Sequence, residues 1–296
     1  MAFSYENCTL CAHRCGINRA VGKIGCCKSS DKITVARAAL HFWEEPVISG
    51  SGGSGAIFFS GCSLGCAFCQ NRKISDGKIG TQISKERLAE IMLRLKSEGA
   101  HNINLVTPTH FTPGIKDALK IAKSAGLDIP IVYNTSSYDT PETLRELDGL
   151  VDVYLPDFKY YTEKSAKRFS QAPDYPEAAR LAIREMVRQK PAPKINDGIM
   201  TAGVIVRILL LPQHVAEAKL ILKYLHETYG DSIYVSLMNQ YTPMPNMPPP
   251  LNRRVTRGEY SDLIEYADKL GVKNGFIQAS GAASEDFIPE FDNTGV

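Results

Sequence analysis

The sequence predicts an α/β protein, built as a partial (β/α)6 barrel that follows a small N-terminal module rich in cysteine. From residue 55 onward, short apolar runs alternate with segments of helical periodicity, a pattern typical of parallel strands joined by crossover helices. About six such units are present, and six parallel strands form an open barrel rather than a closed eight-stranded one. We expect the cysteine-rich, metal-binding module at residues 1–50 and the barrel with a C-terminal extension at residues 51–296.

Local signals place the individual elements. We predict strands at 56–59, 103–106, 129–133, 151–155, 203–211 and 233–238, with a short final run at 275–278. Helix starts are indicated by Ser84, by Thr140 before Pro141, and by the pair Thr256 and Glu259, which together form a capping box. Further helices are predicted near 115–125, 163–171, 175–189 and 214–229.

Composition limits the classes of function. Lys and Arg number 34 and Asp and Glu number 32, so nothing favours nucleic acid as a partner. The first residues lack a signal-peptide pattern, and no window is apolar enough to span a membrane. Eight cysteines in two tight groups indicate metal ligation in a reducing compartment rather than disulfides, and we expect a cytoplasmic protein.

The most informative stretch holds Cys62, Cys66 and Cys69 in a C-x3-C-x2-C run directly after an apolar strand. Structural zinc almost always takes four protein ligands. A cuboidal 4Fe-4S cluster held by three cysteines keeps one iron free for a ligand that is not protein. These three cysteines are therefore our candidate metal ligands and catalytic residues.

This run, with the aromatic Phe68 before its last cysteine, resembles the signature of the radical S-adenosylmethionine (radical SAM) enzymes. The continuation through Gln70, Asn71 and Arg72 is similar to the glycyl-radical-enzyme activases, such as pyruvate formate-lyase activating enzyme, although these typically have histidine at the place of Gln70. The resemblance implies a partial barrel and two cofactors, a 4Fe-4S cluster and SAM. It also implies reductive cleavage of SAM to a 5′-deoxyadenosyl radical, which abstracts a hydrogen atom from a substrate.

Two alternatives to activase chemistry stay open. The same cleavage of SAM could serve the modification of another protein, a peptide or a small molecule, supplied in trans. The chain could also be a non-catalytic iron-sulfur or zinc protein. The polar residues at the strand ends argue against this second alternative, because an electron carrier does not need a polar cavity at the end of a barrel.

A second cysteine group precedes the motif. It comprises Cys8, Cys11, Cys15, Cys26 and Cys27. Four of these could close a tetrahedral site for zinc or hold an auxiliary 4Fe-4S cluster, and spacing alone does not separate the two. The chain resembles a branch of activase homologues whose N-terminal cysteines end in G-x-C, which favours Cys8, Cys11, Cys15 and Cys27 as ligands. Both an electron relay and a structural role remain open.

The carboxyl ends of parallel strands carry the chemistry in such folds. At the end of the second strand, where the activases carry Gly-Gly-Glu to hold the amino group of SAM, this chain has Thr107-Pro108-Thr109. Lys159 could pair with the carboxylate of SAM, and the buried Arg207 needs an anionic partner, either that carboxylate or a strand-end acid. We assign cofactor binding to Phe68, Asn71, Thr107, Thr109, Asn134, Ser136, Asp157, Lys159 and Arg207.

Three further groups have weaker signals. His41, Trp43, Glu44 and Glu45 could line a site, but we expect them to pack the N-terminal module against the barrel and to face solvent. Asn239, Gln240 and Tyr241 are candidates for adenine or substrate contacts. Arg253, Arg254 and Arg257 could dock a protein substrate or an electron donor such as flavodoxin or ferredoxin, or simply form a solvated helix start.

Overall fold

A twisted sheet runs through the computed structural model, which describes residues 3–278 and 289–296. Within these residues the strands are β1 Thr34–His41, β2 Ser54–Phe59, β3 Thr81–Gln82, β4 Ile103–Val106, β5 Ile131–Thr135, β6 Val153–Pro156, β7 Lys194–Asn196, β8 Ile199–Leu209, β9 Tyr234–Met238 and β10 Gly275–Ile277. Their spatial order is β10-β9-β8-β6-β5-β4-β2-β1-β3, and β7 pairs with β8. Neighbours from β2 to β10 along this order are parallel. The predicted open barrel of parallel strands is confirmed.

Nine helices accompany this sheet within the described residues. They are α1 Pro46–Ser49, α2 Arg72–Ser75, α3 Lys85–Ser97, α4 Thr112–Ser124, α5 Pro141–Arg145, α6 Glu163–Ser170, α7 Tyr175–Gln189, α8 Val215–Tyr229 and α9 Arg257–Leu270. The predicted caps are present: Ser84, Thr140 and Thr256 each accept a backbone N–H from the first turn. Every predicted strand is also present, with ends displaced by up to four residues.

β1 was not predicted, and it changes where the sheet begins. It pairs antiparallel with β2, so the sheet starts within the first 50 residues. The Gly/Ser run after α1 is a compact turn into β2, since Gly53 N donates to Ser49 O at 2.8 Å. The division into a cysteine-rich module and a barrel remains a prediction.

α1 closes the lower end of the barrel. Because β1 is antiparallel to β2, His41 lies opposite Ser54 at the amino end of the parallel strands. Ile48 of α1 is fully buried there, and burial of such a side chain contributes roughly 1.5–3 kcal/mol. Its apolar neighbours in the interior are Val132, Val153, Leu155, Met200 and Ile205.

The N-terminal and C-terminal segments pack on different strands of the fold. Ala12 N donates to Tyr138 O at 3.0 Å, which places the cysteine-rich segment beside the upper strand ends. The last residues lie along β1, where Asn293 N donates to Ala36 O at 3.1 Å. The remaining part of the predicted C-terminal extension, residues 279–288, lies outside the described residues. Among the described helices, none has the length and apolar character required to cross a membrane.

Candidate active site

The three motif cysteines lie in the loop that joins β2 to α2, above the carboxyl end of β2. Cys62, Cys66 and Cys69 all line a cavity of about 290 Å³. The loop folds back on itself, because Cys69 N donates to Cys66 O at 3.1 Å and Leu64 N donates to Cys62 Sγ at 3.4 Å. The C-x3-C-x2-C spacing thus brings three cysteines to one cavity.

The surroundings of these thiols suit a bound metal cluster. Burial, together with the nearby Cys62 and Cys66, raises the pKa of Cys69 to about 12, while Lys159 opposes the rise. Burial and Cys66 likewise raise the pKa of Cys62. Thiols of this kind become thiolates when a metal supplies positive charge. Three thiolates, each binding a different iron, fit a 4Fe-4S cluster.

The start of the loop is fixed by close contacts below it. Gly61 has φ of +88°, and a Cβ at this position would lie 2.6 Å from Cys27 O. His110 Nε2 donates to Ser60 O at 2.8 Å. Burial lowers the pKa of His110 to about 3, so the ring is neutral at physiological pH and acts as a hydrogen-bond donor. His110 therefore supports the loop from outside the cavity.

Phe68 holds the other end of the loop. Its ring packs edge-on against Tyr160, Phe169 and Tyr241, with centroid distances of 6.2, 6.0 and 6.2 Å. The next residue back, Ala67, donates its N–H to Phe169 O at 2.8 Å. Edge-to-face packing of this kind fixes ring orientation, so the last cysteine is placed by an aromatic cluster.

Arg207 is the centre of a charged network in the lower part of the cavity. Its guanidinium donates to Asp157 Oδ1 at 2.8 Å, to Asn134 Oδ1 at 2.6 Å and to Glu44 Oε2 at 3.2 Å. The sequence allowed two anionic partners for Arg207, the carboxylate of SAM or an acid at a strand end. In the structure its partner is the strand-end acid Asp157. Burial alone would lower the pKa of Arg207, but Asp157 and Glu44 raise it above its ordinary value.

Asp157 also binds Lys159, whose Nζ donates to Asp157 Oδ2 at 2.7 Å. Burial alone would raise the pKa of Asp157, but Arg207 and Lys159 together lower it. Asp157 is therefore ionised at neutral pH. It holds Lys159 near the cysteines, where the charge of Lys159 partly opposes the rise in the pKa of Cys62 and Cys69 that burial causes.

Glu44 and Glu45 lie inside the barrel, so the expectation that they face solvent is wrong. The turn between β1 and α1 passes beneath the strands and directs both side chains upward into the cavity. Glu44 Oε1 accepts from Asn104 at 2.9 Å, and Glu45 is 7 % exposed. Burial raises the pKa of both carboxyls, and Arg207 opposes the rise. The sequence did contain a signal for their position. The apolar run before these residues is strand-like and Pro46 suits a helix start, so the two glutamates could have been assigned to a turn between a strand and a helix.

Most predicted cofactor residues meet at this cavity. The lining includes Phe68, Asn71, Thr107, Asn134, Ser136, Asp157, Lys159 and Arg207. Thr109 is not brought there, since its hydroxyl lies 3.3 Å from Thr135 Oγ1 in the wall behind the cavity. Gln240 lines the cavity, and its carbonyl accepts from Gln70 Nε2 at 2.8 Å. Tyr241 instead packs against Phe68.

The N-terminal cysteines form a second group beside the cluster loop. Cys8, Cys11 and Cys27 are buried, Cys15 is half-buried and Cys26 is exposed. Among the described residues no three potential ligands converge on a single metal ion, in either cysteine group. Arg19 is fully buried next to the thiols, with Nη1 3.5 Å from Cys8 Sγ. Its other donors reach main-chain oxygens of Ser29 and Ser30.

Taken together, the geometry defines a partial α/β barrel with a three-cysteine loop over a charged interior. The model of the radical SAM superfamily matches residues 56–225, more than half of the chain. The uncharacterized protein MJ0674 of Methanocaldococcus jannaschii is 30% identical over 281 residues, which cover 90% of this chain and 76% of the relative. The chain therefore belongs to the radical SAM superfamily, whose members are enzymes that use SAM and a 4Fe-4S cluster.

Solved structures of the same fold include SuiB of Streptococcus suis bound to SAM, with a TM-score of 0.52 and 14% identity over 76% of this chain. SuiB bound to its precursor peptide SuiA gives a TM-score of 0.51 and 13% identity over 75% of this chain. Methylornithine synthase (PylB) gives 0.51 and 16% identity, covering 79% of this chain and 75% of that one. The match spans only about half of the length of SuiB.

Proposed function

We propose that Cys62, Cys66 and Cys69 hold a 4Fe-4S cluster and that the cavity beneath it holds SAM and a substrate. The observation that carries this proposal is the convergence of the three thiols and the charged strand-end residues on one cavity. When bound, the cluster and SAM supply a 5′-deoxyadenosyl radical that removes a hydrogen atom from the substrate.

Residues of this chain would position SAM. Lys159 is held by Asp157 and faces the cysteines, so its ammonium suits the carboxylate of SAM. Arg207 is committed to protein acids and would act by holding Asp157 in place. Thr107, Asn71 and Ser136 line the upper part of the cavity and offer hydrogen-bonding groups to the remaining polar atoms of SAM.

For the substrate, our first proposal is a protein activated in trans, as in the glycyl-radical-enzyme activases, because the residues after Cys69 resemble theirs. Our second is modification of a peptide or small molecule. It is favoured by the likeness of the fold to SuiB, which is seen with a precursor peptide, and to methylornithine synthase.

We also propose that Cys8, Cys11, Cys15 and Cys27 bind a second metal centre, either zinc or 4Fe-4S. Burial of Cys27 and exposure of Cys26 support Cys27 as the ligand of the adjacent pair. The positive charge of the buried Arg19 would stabilise thiolates in this cysteine group. Cys62 N donates to Cys27 O at 3.1 Å, so the two cysteine groups are in direct contact. Such contact suits an electron relay as well as a structural role.

The partner that supplies electrons is proposed to be a flavodoxin or ferredoxin. Of the three arginines considered for docking, Arg253 binds both oxygens of Glu259 at 2.8 Å and is used within the chain. Arg254 and Arg257 are exposed and stay candidates for that contact. We propose a reducing compartment such as the cytoplasm, because the two cysteine groups are proposed to bind metal rather than to form disulfides.

Reductive cleavage of SAM tests the main proposal. Anaerobically reconstituted protein, given SAM and dithionite, should release 5′-deoxyadenosine. Cys62→Ala, Cys66→Ala and Cys69→Ala should each abolish this release, because each removes a cluster ligand. Cys26→Ala, an exposed cysteine, is the matched control and should keep it. Wild-type protein that leaves SAM intact would contradict the proposal and favour a non-catalytic metal protein.

A further inference from the structure

Glu45 has a carboxylate oxygen without a partner at the floor of the cavity. Its side chain lines the cavity and is 7 % exposed. Oε2 of this carboxylate has no hydrogen-bond partner within the described part of the chain. Buried carboxylates are normally paired or hydrogen-bonded, because leaving one unpaired costs several kcal/mol. Oε2 itself exposes less than 1 Å², so it is an unused acceptor just behind the surface of the cavity.

The neighbouring cation does not satisfy this oxygen. Each arm of the Arg207 guanidinium already donates elsewhere, to Asp157, Asn134 or Glu44. The charge of Arg207 stabilises the Glu45 carboxylate, which also accepts from Ser236 and from its own backbone N–H. None of these groups donates to Oε2. Within the described residues no donor remains for Oε2, and a ligand could supply one.

The formal charges of the cavity lining indicate that the ligand carries a positive charge. Among the described lining residues, Glu44, Glu45 and Asp157 contribute three carboxylates, whereas Arg207 and Lys159 contribute two cations. This part of the lining has an excess of one negative charge when all five groups are ionised. A compact cation would neutralise the excess at the point where the free oxygen lies.

The apolar side chains of the cavity lining favour an ammonium group on an aliphatic chain. Apolar side chains line the path above the floor, among them Phe58, Leu209 and Met238. These surfaces suit methylene groups, and one free carboxylate oxygen suits a point-charge donor better than a guanidinium, which prefers two parallel acceptors.

We propose that Glu45 forms a subsite for a primary ammonium group of the substrate, with the attached aliphatic chain leading upward toward the cluster loop. This inference rests on the proposed function, since it takes the same cavity as the substrate site. The group could belong to a free amine or to a lysine side chain of a peptide, and both present the same chemistry to Glu45.

Binding of matched probes tests the subsite. Isothermal titration of reconstituted protein would compare n-pentylamine with 1-pentanol, and acetyl-Gly-Lys-Gly-amide with the same peptide containing norleucine. We expect at least one ammonium probe to bind about tenfold or more tightly than its uncharged match. Preference for the amine or for the peptide would distinguish the two sources. Equal binding within both pairs would overturn the proposal.

Glu45→Gln should remove this preference, and Glu86→Gln, at an exposed position of α3, should keep it. Without ligand, Glu45→Gln should melt at or above the wild-type temperature, because it removes a buried carboxylate whose Oε2 has no hydrogen-bond partner among the described residues. A lower melting temperature would show that Glu45 serves the fold and would contradict a ligand site. Loss of S-adenosylhomocysteine binding in Glu45→Gln would also overturn the proposal, because the carboxylate would then belong to the SAM site.

The release of 5′-deoxyadenosine keeps this inference separate from the proposed function. Protein that cleaves SAM but shows no ammonium preference would refute the subsite alone. Protein that binds the ammonium probes selectively but never cleaves SAM would refute the radical chemistry and leave the subsite standing.

Discussion

A single buried side chain, Arg207, connects much of the polar interior. It joins the end of β6 through Asp157, β5 through Asn134 and the turn beneath the barrel through Glu44. Because two of these contacts are ion pairs with side chains 11–19 % exposed, they are screened from water far more than surface pairs are.

Replacing this arginine should be costly. Arg207→Met leaves Asp157 and Glu44 buried without their main cation, and the expected loss in free energy of unfolding is about 3–5 kcal/mol. Urea unfolding of cluster-free protein would measure it. The exposed Arg254→Met is the control and should change stability by less than about 0.5 kcal/mol. A loss below about 1 kcal/mol for Arg207→Met would contradict the role of Arg207 as the central cation.

Glu45 should give the stability a specific pH dependence. Its pKa is raised in the folded protein by burial, with Arg207 opposing and Glu44 adding to the rise. The native state therefore holds the proton at pH values where the unfolded state has lost it. The contribution of this group to the free energy of unfolding falls as pH rises from the ordinary value of 4.5 through the raised one.

Glu45→Gln lacks this titration, so its advantage in stability over wild type should grow as pH rises through that window. Urea unfolding of both proteins at a series of pH values would show the difference. Asp157, whose pKa is lowered, stabilises the fold above its ordinary value and is present in both proteins, so its effect cancels. A difference that stays constant with pH would show that the carboxyl of Glu45 is not perturbed.

At the level of elements, the sequence predicts those features that local signals determine. Strand runs and caps such as Thr256 with Glu259 depend on near neighbours, and they were predicted well. β1 depends on pairing with β2, and its register is interrupted by an irregularity between Val35 and Arg37, so alternation alone does not show it. The position of Glu44 and Glu45 depends on that pairing and was missed with it.

The candidate site was predictable to a similar extent. Cys62, Cys66 and Cys69 were singled out by their spacing, and the structure places all three at one cavity. Thr109 was assigned to the site because it follows the end of β4. The structure places it elsewhere, because the chain turns directly after that strand. Thr107 adopts φ of +59°, and residues Thr109–Phe111 form a 3-10 turn that places Thr109 in the wall.

Two glycines of the cluster loop provide a matched test of its packing. Gly61 and Gly65 both have positive φ, +88° and +59°, so alanine at either costs about 1–2 kcal/mol. At Gly61 a Cβ would also lie 2.3 Å from Ser29 Oγ, whereas at Gly65 it meets nothing within 4 Å. We expect Gly61→Ala to lose a further 1–3 kcal/mol or so and much of its bound iron. Equal stability and iron content in the two variants would disprove the close contact.

At the scale of the whole molecule, the N-terminal segment and the barrel share a boundary at the cluster loop. Cys27 O accepts from Cys62 N, and Ser29 Oγ donates to Ser60 O at 3.4 Å. Tyr138 O, at the upper end of the barrel, accepts from Ala12 N. Substitutions in one cysteine group should therefore affect metal binding in the other group.

A metal count would define the N-terminal site. A wild-type total of about eight irons would mean two 4Fe-4S clusters, and about four irons with one zinc would mean a structural zinc. Removing Cys62, Cys66 and Cys69 together should cost about four irons in either case. Cys27→Ser should lose the second centre and Cys26→Ser should keep it. Retention of all metal in Cys27→Ser would exclude Cys27 as a ligand.

The closure of the barrel by α1 also has a kinetic consequence. Ile48 and its neighbours fill the lower end, so a molecule that reaches Glu45 from above has to pass the level where SAM would sit. Along this path, the molecule that binds deepest enters first and departs last. Such a path would favour an ordered reaction, in which the proposed substrate binds before SAM.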